Sequence, residues 1–143
     1  RDALARGAAD FVQPDPIKAG GLLFCKKVAA LAEAYSRDCV PHQSQINIGF
    51  AAHLQLIAST PNCRGAQECW ILPGREPDAL RDELLEEPFR VIDGFVDVPR
   101  KPGLGVSINE ATIRRYANAR GTTVWPGAGA HPGIGIPKIR RPA

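Results

Sequence analysis

The sequence predicts an α/β fold of repeating strand–helix units on a parallel sheet. Two observations carry this. Short apolar runs ending at or near prolines alternate with helical patterns over residues 1–71, and one of those helices is apolar nearly all round. Strand–helix–strand order implies right-handed crossovers and parallel strands. A parallel sheet must be covered on both faces or closed into a barrel. Three strands cannot close an eight-stranded barrel, which takes about 250 residues. The 143 residues are therefore expected to carry part of a repeating βα architecture.

The elements are read in chain order. Residues 2–7 look like the end of a helix. Residues 10–13 form an apolar strand stopped by Pro14, and Gly20-Gly21 opens a helix reaching about residue 36. Phe24, Val28, Leu31, Ala32 and Tyr35 share one face of that helix at i, i+4, i+7 spacing, with Lys26, Lys27 and Glu33 on the other side. Residues 39–40 are a second strand, ended by Pro41. Residues 46–59 are a second helix, interrupted only by Asn47, His53 and Gln55 and ended by Pro61. Residues 66–71 read as a third strand. The style then changes. Residues 78–85 suggest a short amphipathic helix, and 89–92 and 95–98 a hairpin turning at Asp93-Gly94. Pro102 to Gly105 is a loop. Asn109 is placed to cap a last helix over 110–117. From 118 onward the chain is rich in Gly, Pro and Arg without periodicity, which reads as a flexible basic tail.

Composition narrows the function classes. The chain is 44% hydrophobic and 23% charged, with no apolar run long enough for a membrane helix and no secretory signal at Arg1–Arg6. It begins without Met and contains none, which suggests a piece of something longer. Residues 118–143 hold four basic side chains and no acid, so the net charge of +3 becomes −1 without them. A body so near neutrality has no electrostatic footprint for nucleic acid or anionic membrane. Cys25, Cys39, Cys63 and Cys69 form no CxxC pair and are expected to be buried free thiols in a reducing, cytoplasmic compartment.

Three polar residues recur in phase. Asp15 follows the first strand, His42 follows the second and Glu68 lies in the third, at spacings of 27 and 26 residues. One βα unit per step brings all three to the C-terminal rim of the strands, where such folds do chemistry. Each alone has a plain reading: a turn aspartate, a loop histidine and a solvated carboxylate. Together they offer proton transfer. Histidine exchanges protons near neutrality, a carboxylate on its second nitrogen orients the ring, and another carboxyl can meet a developing oxyanion. His53, inside the apolar helix, reads as a packed histidine, and His131 has no evident partner. No nucleophile elbow, dinucleotide loop or P-loop occurs.

These segments resemble a known family. Val12-Gln13-Pro14-Asp15-Pro16-Ile17-Lys18-Ala19-Gly20-Gly21 is similar to the sixth-strand motif of the mandelate racemase and muconate lactonizing branch of the enolase superfamily. Cys25 to Ala34 resembles its sixth helix, Val40-Pro41-His42 its seventh strand end, and Gln67-Glu68 its eighth. Glu86 to Val91, Asp93-Gly94 and Pro102 to Val106 are similar to the return of the chain to the capping domain. The resemblance covers about residues 1–117.

The resemblance implies the C-terminal part of a modified TIM (β/α) barrel, about strands six to eight, over residues 1–85. Residues 86–117 would return toward an α+β capping domain, followed by the tail 118–143. It implies Mg²⁺, with ligands on strands preceding Arg1, and a small sugar-acid carboxylate as substrate. His42 would be the general acid/base, Asp15 its orienting partner and Glu68 a hydrogen-bond partner of the substrate carboxylate or enediolate. Lys18 would also bind substrate. The expected activity is dehydration of an aldonate or aldarate, in a homo-oligomer when full length, with the 143 residues inactive alone. Racemisation or epimerisation, or a catalytically inactive remnant, are the alternatives.

Overall fold

The computed structural model describes residues 1–71 and 82–119. Its elements are α1 (Asp2–Ala5), β1 (Phe11–Val12), α2 (Gly21–Ala34), β2 (Asp38–Cys39), α3 (Asn47–Ala58) and α4 (Glu110–Ala119). Together they make a small mixed α/β unit. The expectations for residues 72–81 and 120–143, which include half of the short helix at 78–85 and nearly all of the tail, lie outside the described residues.

β1 and β2 run parallel, Phe11 opposite Asp38 and Val12 opposite Cys39, with α2 as the crossover. The Val40 N–H donates to the Val12 carbonyl at 3.0 Å, one step beyond the assigned strands. Pro14 and Pro41 lack an N–H, so the ladder cannot be carried through them. At the other end of the strands, Arg37 pairs with Asp10 and Arg64 with Asp38, each at 2.9 Å.

α2 starts from Gly20, whose φ of 97° lies in the region that disfavours any side chain. Its buried residues are Cys25, Ala29 and Ala32. This corrects the expected face. Of Phe24, Val28, Leu31, Ala32 and Tyr35, only Ala32 is fully buried, while Phe24 and Tyr35 are exposed. The spacing was right and the phase was off by one residue. Small side chains let the helix lie close on the two strands, where a phenylalanine would hold it away.

α3 buries Phe50, Ala51, Ala52, Leu54 and Leu56, as its all-round apolar pattern requires. Two side chains fasten it to α2. Lys26 donates to the Ser59 carbonyl and to Thr60 Oγ1 at 3.3 Å, placing a cation at the C-terminal end of α3. Asn62 Nδ2 donates to the carbonyls of Ala29 at 3.0 Å and Arg37 at 3.1 Å.

Further differences concern strands. Residues 66–71 lie alongside without any ladder, so the sheet among the described residues has two strands. Side-chain bonds to Glu68 hold that segment instead. The Asp93-Gly94 turn has positive φ at both residues, 50° and 82°, as a two-residue hairpin requires. Its arms pair only through Ile92 and Phe95, both exposed, because a hairpin with no face to bury is marginal. The last helix is capped as expected: Asn109 Oδ1 accepts the Thr112 N–H at 3.2 Å. All four cysteines are free, but only Cys25 and Cys39 are fully buried, whereas Cys63 and Cys69 are partly exposed.

The segment after residue 85 packs on α3. Phe89 meets Phe50 edge-on with ring centres 5.0 Å apart. Gln55 Nε2 donates to the carbonyls of Pro99 at 2.9 Å and Leu104 at 3.3 Å. Gly105 closes this loop with φ of 81°, and a Cβ there would lie 2.6 Å from Pro99 Cβ and 2.9 Å from its carbonyl. Gly105→Ala is therefore expected to destabilise the complete protein by about 1–3 kcal/mol, read as a lower urea midpoint at unchanged slope.

Candidate active site

Proline ends each strand, and the residue that follows turns out of the sheet. Asp15 follows Pro14 after β1, and His42 follows Pro41 after β2. Because β1 and β2 are parallel and adjacent, both side chains emerge at one rim. His42 Nδ1 lies 3.3 Å from Asp15 Oδ2. The aspartate is buried, with a side chain 6% exposed, while that of the histidine is 45% exposed. The pair thus has a dry end at Asp15 and a wet end at His42.

Asp15 is held by more than histidine. Its Oδ1 accepts the Ile17 N–H at 2.8 Å, an Asx turn that fixes the side chain to its own loop. Lys18 Nζ is 3.4 Å from Oδ2 and donates to Ser44 Oγ at 3.2 Å, bridging the loops after β1 and β2. Burial pushes the Asp15 carboxyl up, but the Ile17 N–H, the His42 ring, the Lys18 ammonium and the charge at His53 outweigh it and hold the group below its ordinary range. An ionised Asp15 fixes the His42 tautomer with its proton on Nδ1, which leaves Nε2 as the nitrogen that can take a proton.

Glu68 reaches the same rim by another route. Its Oε2 accepts the main-chain N–H of Gln43, the residue after His42, at 2.7 Å, and its Oε1 accepts from Gln13 Nε2 at 3.3 Å. The structure therefore brings Asp15, His42 and Lys18 into direct contact and ties Glu68 to the backbone beside His42. Gln13, Gln43 and Ser44, which complete the cluster, were not singled out in the sequence. Their signal was position alone, since Gln13 precedes Pro14 as its strand ends and the other two follow His42. His53 is fully buried, as its apolar setting predicted. An apolar groove of about 460 Å³, lined by Phe50, Leu54 and Phe95 among others, has Glu68 on its wall.

Burial and the charge of Asp15 push the Cys25 thiol up. Cys39 donates to the sulfur of Cys63. That bond and burial push Cys39 up, and the same bond holds Cys63 down. Among the described residues no group of three or more His, Cys, Asp or Glu side chains could hold a metal ion. The described residues therefore do not by themselves make a metal site. No described helix is long and apolar enough to cross a membrane.

The depressed Asp15 carboxyl carries a stability signature. Its contribution is complete above the ordinary value of 3.8 and is lost as pH falls through the lower folded value. Asp15→Asn is expected to cost the complete protein about 1–3 kcal/mol at pH 7. It should also flatten the fall of stability below about pH 4, measured by urea unfolding at a series of pH values.

The model of the Enolase C-terminal domain-like family matches residues 1–112. D-gluconate dehydratase of Thermoproteus tenax is 38% identical over 116 residues, covering 79% of this chain and 22% of that protein. D-galactarolactone cycloisomerase of Agrobacterium fabrum is 33% identical over 117 residues, covering 80% and 31%. A mandelate racemase/muconate lactonizing enzyme structure from Sulfitobacter sp superposes with a TM-score of 0.66 at 36% identity, over 78% of this chain and 26% of that one. The chain thus spans between a fifth and a third of the length of these relatives. Its relatives are sugar-acid dehydratases and cycloisomerases, and the chain belongs to the Enolase C-terminal domain-like family, within the enolase superfamily.

Proposed function

We propose that this chain supplies the proton-transfer side of the active site of an acid-sugar dehydratase. The observation that carries the reading is the His42–Asp15 contact of 3.3 Å at the ends of adjacent parallel strands. His42 Nε2 takes the proton from the carbon next to the substrate carboxylate, and the electrons of that C–H bond move into the carboxylate to give an enediolate. The same proton is then handed to the β-hydroxyl, which leaves as water while the electrons return to form the enol of the keto acid. Asp15 keeps the ring oriented and stabilises the imidazolium formed in between. Glu68 and Lys18 bind the carboxylate end of the substrate.

Members of the enolase superfamily generally use Mg²⁺, whose chemistry is to stabilise negative charge on such a carboxylate. Its ligands are expected on strands that precede Arg1, and the steps assigned here use only side chains of this chain. In this reading residues 1–85 are the part of a TIM-type barrel around strands six to eight. Residues 86–117 return toward an α+β capping domain, and the complete protein assembles as a homo-oligomer. The edge-on Phe50–Phe89 contact supports the return of the chain over α3.

The test is turnover by the complete protein, with Mg²⁺, of a panel of aldonic and aldaric acids. Formation of a keto acid lighter by one water is expected, and no turnover of any member would sink the reading. His42→Gln is expected to lower kcat by about 10²–10⁴-fold with little change in stability, since the ring is nearly half exposed. The cycloisomerase relative favours a second reading, isomerisation by the same histidine. A product of unchanged mass, with solvent deuterium at the α-carbon, would select it.

A further inference from the structure

His53 lies on α3, eleven residues beyond His42, and is fully buried. Oxygen atoms face both of its ring nitrogens. Nδ1 is 2.8 Å from the Gly49 carbonyl, one turn earlier on the same helix. Nε2 is 2.7 Å from the carbonyl of His42. Asp15 Oδ1, the oxygen turned away from the His42 ring, is 3.8 Å from the same Nε2. A neutral imidazole carries one N–H and one lone pair, so it can donate to only one of two carbonyls. With both protons in place the ring donates to both, and its charge then faces a carboxylate.

The groups around it are few. Asp15 faces His53 from the loop after β1, where its charge is shared with the His42 ring and Lys18. From the loop after β2 comes the His42 carbonyl, and from α2 the nearby titratable group is the Cys25 thiol, which feels the same aspartate.

The bond to His42 has a second half. The peptide unit between His42 and Gln43 has its carbonyl on His53 at 2.7 Å and its N–H on Glu68 at 2.7 Å. That peptide is gripped at both ends, from inside the fold and from the rim, and it is the backbone on which the His42 ring stands.

We propose that His53 is a positioning residue for the Asp15–His42 pair, acting as a buried, doubly protonated ring that clamps the His42 carbonyl and holds the far oxygen of Asp15. The role rests on the reading of His42 as the acid/base group. A packed histidine with no such part would need neither the second proton nor the contact with Asp15.

The first test uses the complete protein labelled with ¹⁵N-histidine, the His53 signals being assigned by their loss in His53→Gln. At pH 7 both ring nitrogens of His53 are expected to carry a proton. A bare ring nitrogen on His53 at that pH would overturn the proposal without any variant having to be active. The second test is kinetic. His53→Gln keeps one donor but no charge, and it is expected to lower kcat about 10- to 100-fold with KM within about twofold, and to move the His42 ring signals. A variant less stable but unchanged in kcat and in its His42 signals would make His53 a core residue only. If the wild-type protein turns over no sugar acid, the proposed function fails, while the protonation of His53 and the response of His42 still decide this point.

Discussion

One buried carboxylate organises the rim of this fold. Asp15 leaves β1 just past a proline and is taken out of water, and a lone carboxylate in that position would be costly. It is tolerated because three donors converge on it, the Ile17 N–H and the Lys18 ammonium of its own loop and the His42 ring of the loop after β2, with His53 close by on α3. Each donor comes from a segment whose course would otherwise be loosely determined. Satisfying the carboxylate therefore also fixes how the loop after β1, the loop after β2 and α3 sit together.

The same economy holds the neighbouring backbone. Two residues of pairing in β1 and β2 are too few to position the loops that follow them. The peptide after His42 is instead held by side chains, His53 on its carbonyl and Glu68 on its N–H. Glu68 in turn reaches Gln13, two residues before Asp15 in the chain. Polar side chains perform the work that main-chain ladders perform in a longer sheet, which explains why residues 66–71 can lie alongside without pairing. The small residues of α2 complete the arrangement from below, since Cys25, Ala29 and Ala32 let the helix lie close to the strands.

Much of this was legible in the sequence. Prolines after short apolar runs marked both strand ends, and the spacing of 27 residues between Asp15 and His42 correctly placed them at one rim. Asn109 as a cap, Asp93-Gly94 as a turn and the burial of α3 followed from local chemistry. The phase of α2 did not. Phe24, Leu31 and Tyr35 are larger than Cys25 and Ala29, and hydrophobicity alone ranks them for the core. Closeness of approach decided otherwise. The role read here for His53 was also hidden, because an apolar helix around a histidine says only that the ring is packed, and its partners come from residues 11 and 38 positions earlier in the chain.

The sequence by itself determined the family, the order of the first two strands and of the helices around them, and that Asp15 and His42 meet at one rim. Those depend on residue type and spacing along one chain, where neighbours act directly. Only the tertiary structure decided which face of α2 is buried, that the third extended segment joins no sheet among the described residues, and how Asp15, His53 and Glu68 hold the backbone of His42. Those depend on distances between segments far apart in sequence, and burial and hydrogen-bond satisfaction are settled only when the segments meet.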